Sequence, residues 1–201
     1  MVLLGHGSQR GSETVKGLRE VAARLQIALA PDRARVVLGC LEFIHPNLAE
    51  AVHQLVSGGI RSIVVAPYLL GQGRHPTVEL TEDLRSVGKG FPDVELLCAA
   101  PLGSDPRLVE MVVERVAQSD RSPSWQNGRD LTGVLMVKAG TRSHYDDCAW
   151  LYETGQRVAE RLGAGYAVAI AKSHYGSPTM VEAAATLVEE HGASELVCVP
   201  Y

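Results

Sequence analysis

Short apolar runs alternate along the chain with longer segments in which apolar residues recur every three to four positions. Runs rich in β-branched residues predict four strands, at residues 2–5, 35–42, 62–69 and 94–99. The periodic segments predict four helices, at residues 12–29, 46–57, 77–87 and 106–118. This alternation is typical of an α/β fold in which helices cover both faces of a parallel sheet.

The same order of elements begins again at residue 131. Strands are predicted at 131–138, 166–173 and 196–201, and helices at 145–162 and 178–190. The letters IVVAPY at 63–68 are similar to LVCVPY at 196–201, which indicates a duplicated module. We expect a module at 1–118, a polar linker at 119–130 and a second module at 131–201. Because the second copy stops at its third strand, we expect it to be truncated. The expected protein partners are further domains of a longer chain or other copies of this chain in a homo-oligomer.

Composition narrows the class of partner. The chain of 201 residues carries a net charge of −4, and its lysines and arginines are scattered, so nucleic acid is not an expected partner. No apolar segment approaches the roughly 20 residues that span a bilayer, and the first residues do not resemble a signal peptide. We therefore expect a soluble, cytoplasmic protein that has no membrane partner.

The four cysteines are far apart and form no CxxC pair. Cys40, Cys98 and Cys198 lie in predicted strands, where small buried apolar residues are expected. Cys148 lies outside those strands. We expect no iron–sulfur cluster within this chain.

Candidate chemistry follows three successive strands. His6 lies in LLGHGS after the first strand, Glu42 ends the second, and His75 follows the third. Because parallel strands open their carboxyl ends on one edge, these side chains are expected to converge there. Two imidazoles and a carboxylate suit a first-row divalent metal or acid–base chemistry. The plainer alternatives are a turn histidine at 6 and a solvated loop histidine at 75.

Four motifs in order make the interpretation specific. LLGHGSQ, CLEF, VVAPYLLGQGRH followed by Glu79, and APLGSDPRLVE resemble the successive motifs of the CbiX-type sirohydrochlorin chelatases, which are class II tetrapyrrole chelatases. The resemblance covers residues 1–117. It implies duplicated flavodoxin-like modules that face each other across a cleft for the macrocycle, with metal-handling roles for His6, Glu42 and His75.

The second copy departs from this pattern. Where the first has Gly5-His6-Gly7-Ser8, the second has Lys138-Ala139-Gly140-Thr141, so the first histidine is lost. Its own histidines, His144 and His174, do not align with His6 and are expected to be solvated or to cap elements. We expect the second copy to supply a cavity wall and the first to supply the chemistry.

The resemblance implies insertion of a divalent metal into sirohydrochlorin or a related tetrapyrrole, in cobalamin or siroheme biosynthesis. We favour Co²⁺ as the metal substrate, with Fe²⁺ and Ni²⁺ as alternatives. His6 and His75 are expected to bind the metal and accept pyrrole protons with help from Glu42.

Arg10 and Arg74 would contact the carboxylates of the substrate, unless they are ordinary surface arginines. Gly5 and Gly7 are expected to clear space for the flat macrocycle. The alternatives are a ferrochelatase, a divalent-metal-binding or delivery module without catalysis, and a non-catalytic scaffold.

Overall fold

The computed structural model describes residues 1–8, 12–29, 34–71, 78–103, 105–119, 131–140 and 148–201. Three of the predicted site residues, Arg10, Arg74 and His75, lie outside these ranges, as does nearly all of the predicted linker. The described chain forms two compact units, Met1–Leu102 and Gly103–Tyr201. In the part of the chain that the structure describes, no helix is long and apolar enough to cross a membrane.

The first unit alternates strands and helices as predicted. Its elements are β1 (Val2–Gly5), α1 (Ser12–Ala28), β2 (Val37–Cys40), α2 (Leu48–Ser57), β3 (Ser62–Pro67), α3 (Leu80–Gly90) and β4 (Glu95–Cys98). The four strands are parallel, in the order β2-β1-β3-β4. β1 therefore lies inside the sheet, with β2 and β3 as its neighbours.

Alternate residues of the strands build the core of this unit. Leu4 of β1 and Ile63 of β3 are fully buried and share one apolar cluster with Leu55 of α2. The next residue of β1, Gly5, faces the other side of the sheet, because successive residues of a strand point to opposite faces. A side chain at Gly5 would meet Leu18 of α1 at 2.5 Å. Helices thus cover both faces of the sheet around β1.

Helix α2 begins two residues later than predicted. Asn47 is its N-cap and forms a capping box with Glu50, in which each side chain accepts a hydrogen bond from the backbone N–H of the other residue. Pro46, which was expected in the first turn, instead precedes the cap after a cis peptide bond. Gly58 ends the helix, as its sequence position indicates.

The second unit repeats the pattern on a smaller sheet. Its elements are α4 (Pro106–Ser119), β5 (Leu131–Lys138), α5 (Ala149–Leu162), β6 (Tyr166–Lys172), α6 (Met180–Ala185) with a π-helical continuation (Thr186–Glu190), and β7 (Ala193–Pro200). The three strands are parallel, in the order β6-β5-β7. Two separate sheets confirm the predicted pair of α/β modules, the second of them smaller.

Helix α4 belongs to the first predicted module by its position in the sequence but packs in the second compact unit. The predicted first module ends at 118, yet α4 lies within the second compact unit, where it contacts α5 and β7. Its buried stripe consists of Val109, Val112 and Val116, and Glu110 forms an ion pair of 2.8 Å with Arg161 of α5. The apolar stripe of this helix predicts burial but does not identify the sheet that buries it.

The cysteine prediction holds at one of the three strand positions. Cys40 is buried, and burial raises the pKa of its thiol above the usual value. Cys98 and Cys198 are exposed, so the prediction of burial was wrong for both. They lie on β4 and β7, which are edge strands of their sheets and are therefore less covered than central strands.

Candidate active site

His6 follows the last residue of β1, in the middle of the carboxyl edge of the first sheet. The residue is half-buried, and its Nδ1 lies 3.2 Å from the backbone oxygen of Gly7. This contact is a hydrogen bond in the tautomer that carries its proton on Nδ1, because a carbonyl oxygen can only accept. In that tautomer the lone pair of the ring is on Nε2, and a ring nitrogen with a lone pair can bind a metal or accept a proton.

Glu42 lies beside His6 in the structure. β2 ends at Cys40, two residues before the predicted end, and the backbone N–H of Glu42 donates a hydrogen bond of 2.9 Å to the carbonyl oxygen of His6. Glu42 is half-buried. The backbones of two of the three predicted residues are therefore neighbours at this edge of the sheet. The third, His75, lies outside the described residues, as do Arg10 and Arg74.

Gly5 and Gly7, on either side of His6, allow other parts of the same unit to pack closely against the end of β1. Gly7 has a φ of 91°, and a Cβ there would collide with the backbone oxygen of Glu42. The space beside Gly5 is taken by Leu18. Close packing within the unit accounts for both glycines, and because both also line an open cavity beside His6, their role in admitting a macrocycle stays a prediction. They allow the loop after β2 and helix α1 to approach the end of β1 closely.

An open cavity of about 500 Å³ adjoins His6. His6, Gly7, Leu18 and Tyr68 are among the residues that line it. Tyr68 follows β3, and its backbone N–H donates to the oxygen of Leu4 at 2.7 Å. Sequence reasoning did not single out Tyr68, although an aromatic residue directly after a predicted strand is the signal that could have identified it.

Phe43 is the second residue that sequence reasoning missed. It follows Glu42 in CLEF and is 58% exposed, with a φ of 63°. Positive φ is uncommon for a residue with a large side chain. The predicted strand ends at Glu42, and nothing in the residue pattern marks Phe43 as the centre of a turn with positive φ.

The second unit has the same backbone arrangement with different side chains. Lys138 pairs with Lys172 as Gly5 pairs with Cys40. A Cβ at Gly140 would collide with the backbone oxygen of His174, as one at Gly7 would with that of Glu42. Ala139 and His174 thus occupy the positions of His6 and Glu42. Exposed His174 contacts Ser173 through Nδ1, 2.7 Å from Oγ.

Among the described residues, no three histidine, cysteine, aspartate or glutamate side chains gather in a way that could hold a metal ion. The first unit has a histidine and a glutamate at these two hydrogen-bonded backbone positions, and the corresponding positions of the second unit hold an alanine and a histidine. A metal-handling role for His6 and Glu42 stays a prediction.

Comparison with known proteins identifies similar chains. The CbiX family model matches residues 1–119. The sirohydrochlorin cobaltochelatase of Sulfurisphaera tokodaii is 32% identical over 122 residues, which make up 61% of this chain and 94% of that protein. The sirohydrochlorin ferrochelatase of Priestia megaterium is 29% identical over 80 residues, or 40% of this chain and 30% of that protein.

Among solved structures, SirB from Bacillus subtilis with Fe³⁺ superposes with a TM-score of 0.80 at 20% sequence identity. The match covers all of this chain and 75% of that one, and it shows that the two chains share a fold. The family model covers more than half of the chain, including His6 and Glu42. The chain therefore belongs to the CbiX family.

Proposed function

We propose that this chain is a sirohydrochlorin chelatase that inserts a divalent metal into the tetrapyrrole, with Co²⁺ as the preferred substrate ion. The observation that carries the proposal is the contact between His6 and Glu42 at the carboxyl ends of two neighbouring strands. Both residues lie in the part of the chain that the CbiX family model matches, and the match to a cobaltochelatase covers 94% of that protein. A parallel sheet binds ligands at this edge.

The reaction needs ligands and proton acceptors at one place. A divalent ion replaces two protons on the pyrrole nitrogens, so the ion must lose water and two protons must leave. The imidazole of His6 is suited to bind the ion or to accept one proton. The carboxylate of Glu42 attracts the cation and is suited to accept the other proton. We assign His75 the role of a second imidazole ligand.

The substrate carries carboxylate side chains, so cationic contacts are needed around the metal-handling residues. We assign Arg10 and Arg74 to these contacts, because each is close in sequence to one of the proposed histidine ligands. An arginine can hold a carboxylate through two parallel hydrogen bonds, which would orient the macrocycle as well as attract it. We assign the chemistry to the first unit, since Ala139 stands in the second where the first has His6.

Iron is the alternative metal. Imidazole and carboxylate ligands accept both Co²⁺ and Fe²⁺, and a relative of this chain is named a ferrochelatase. The match to that ferrochelatase covers only 30% of it, whereas the match to the cobaltochelatase covers 94%. Ni²⁺ also suits these ligands. The affinity of such ligands rises from Fe²⁺ through Co²⁺ to Ni²⁺, whichever metal the enzyme inserts. Metal selection must therefore be measured as turnover and not as binding.

The test is an anaerobic assay in which the protein is mixed with sirohydrochlorin and with Co²⁺, Fe²⁺ or Ni²⁺ in separate reactions. Metallation is followed by the change in the absorption spectrum of the macrocycle, against the spontaneous reaction without protein. The proposal predicts a protein-dependent rate that is highest with Co²⁺. A faster reaction with Fe²⁺ would favour the ferrochelatase, and bound Co²⁺ without turnover would favour a metal-delivery module.

A further inference from the structure

Two exposed aromatic residues stand on either side of His6. Phe43 lies just beyond the end of β2, and Tyr68 lies just beyond the end of β3. Because β1 lies between these strands, His6 is between the two aromatic residues along the edge of the sheet. Phe43 is 58% exposed and Tyr68 is 42% exposed. Both rings are therefore accessible to a ligand at this edge of the sheet.

The backbone at Phe43 is held in an unfavourable conformation. The oxygen of Glu42 accepts a hydrogen bond of 2.8 Å from the N–H of Ile44, which closes a γ-turn with Phe43 at its centre. With a φ of 63°, this turn is of the rare, strained kind, in which glycine or asparagine would fit better. Such strain in a natural protein is often associated with ligand binding.

The equivalent loop of the second unit also carries an exposed aromatic residue. Tyr175 follows His174 as Phe43 follows Glu42, and it has a φ of 51° and is 46% exposed. Neighbouring positions differ between the copies, since His174 replaces Glu42 and Gly176 replaces Ile44. An aromatic side chain on a positive-φ backbone is therefore a shared feature of both loops.

Tyr68 differs from its own counterpart in the second unit. The backbone of Tyr201 donates to Val137 as that of Tyr68 donates to Leu4. The hydroxyl of Tyr201 donates to the oxygen of Gly103 at 3.2 Å, and its ring lies 5.8 Å from that of Trp150. Tyr201 thus packs inside its unit, whereas Tyr68 lines the open cavity beside His6.

We propose that Phe43 and Tyr68 bind the flat tetrapyrrole through their rings, one on each side of His6. This inference rests on the proposed function and adds two substrate-binding residues to it. Neighbouring strands are about 4.8 Å apart, so the ends of β2 and β3, from which the loops of Phe43 and Tyr68 start, are separated by about 10 Å across β1. This spacing is comparable to the width of a tetrapyrrole macrocycle. Contacts between aromatic rings favour a flat conjugated ligand. They do not depend on whether the ligand already holds a metal.

The test measures binding of metal-free sirohydrochlorin under anaerobic conditions, by titration of its absorption spectrum, to Phe43→Leu and Tyr68→Leu. Loss of either ring is expected to raise Kd and KM about tenfold while kcat and Co²⁺ affinity stay near the parent values. Phe43→Tyr and Tyr68→Phe keep a ring and are expected to bind like the parent. Tyr152→Leu removes a ring that is 47% exposed on α5 and serves as the control for general surface effects.

The results separate a failure of the proposed aromatic contacts from a failure of the proposed chelatase function. If the parent metallates sirohydrochlorin and both leucine variants bind it as tightly as the parent does, the aromatic contacts are wrong and the chelatase proposal stands. If the parent neither binds nor metallates sirohydrochlorin, both proposals fail. A circular dichroism spectrum and a thermal melt of each variant show whether it is folded.

Discussion

The backbone N–H of Glu42 donates a hydrogen bond of 2.9 Å to the carbonyl oxygen of His6, beyond the last paired residues of β1 and β2. This bond continues the strand pairing through two residues of the proposed site. It depends on Gly7, because any side chain there would collide with the oxygen of Glu42. The backbone contact between His6 and Glu42 thus depends on a residue that has neither an imidazole nor a carboxylate.

Gly7→Ala is expected to separate His6 from Glu42. The new Cβ meets a carbonyl oxygen on a backbone with a φ of 91°, so we expect a loss of stability of about 2 kcal/mol and at least a tenfold loss of metallation rate. Gly140→Ala is the matched control, because it creates the same collision with His174 in the second unit. It should lower stability in urea while most of the metallation rate remains. Equal losses of rate in both variants would refute the link to the site.

Phe43→Gly is expected to be more stable than Phe43→Ala. Glycine normally destabilises a chain relative to alanine by roughly 0.5–1 kcal/mol, but a left-handed backbone costs alanine about 1–2 kcal/mol. At a φ of 63° the second effect is larger, so the order should reverse by up to about 1.5 kcal/mol. Urea unfolding of both variants measures this difference. If alanine is the more stable residue at this position, the strained turn is not present in solution.

The capping box of α2 should make stability depend on acid pH. The hydrogen bond from His45, followed by that from the backbone of Asn47, lowers the pKa of Glu50. Because the pKa is lower in the folded state, the stabilisation is present above the unfolded value of the carboxyl group and is lost as the pH falls through the folded value. The midpoint of urea unfolding should therefore fall less between about pH 5 and pH 3 in Glu50→Gln than in the parent. Identical pH profiles would contradict this role.

Exposure should decide which cysteines react. Alkylation with iodoacetamide near neutral pH is expected to label Cys198, which is exposed, and to leave Cys40, which is buried and whose pKa burial raises. Peptide mass spectrometry after a short reaction measures both sites. In denaturant, both should be labelled. Rapid labelling of Cys40 in the native protein would show that the sheet around β2 opens readily.

Local patterns in the sequence predicted most of the fold. The alternation of apolar runs and periodic segments gave the order of strands and helices, and Pro106 and Gly58 mark the start of α4 and the end of α2. The placement of α4 in the second unit could not be predicted, because an apolar stripe identifies a buried face but not its partner.

The site was predicted less completely than the fold. The rule that parallel strands open on one edge was sufficient to predict that His6 and Glu42 lie at neighbouring strand ends. The contacts of Gly5 and Gly7 with the side chain of Leu18 and the oxygen of Glu42 could not be predicted, because both partners come from distant segments. Phe43 was not singled out either, since no residue pattern marks the positive φ of a turn closed by a backbone hydrogen bond.

The most direct test of the account is the rate of Co²⁺ insertion into sirohydrochlorin by His6→Ala and by the control His174→Ala, measured anaerobically against the parent. His6 supplies an imidazole at the proposed site, and removal of such a group typically costs a factor of about 100 or more in rate. His174 is an exposed imidazole at the corresponding edge of the second unit. The account predicts that His6→Ala loses at least about 100-fold in rate while His174→Ala metallates at the parent rate. Parent-like metallation by a folded His6→Ala would contradict it.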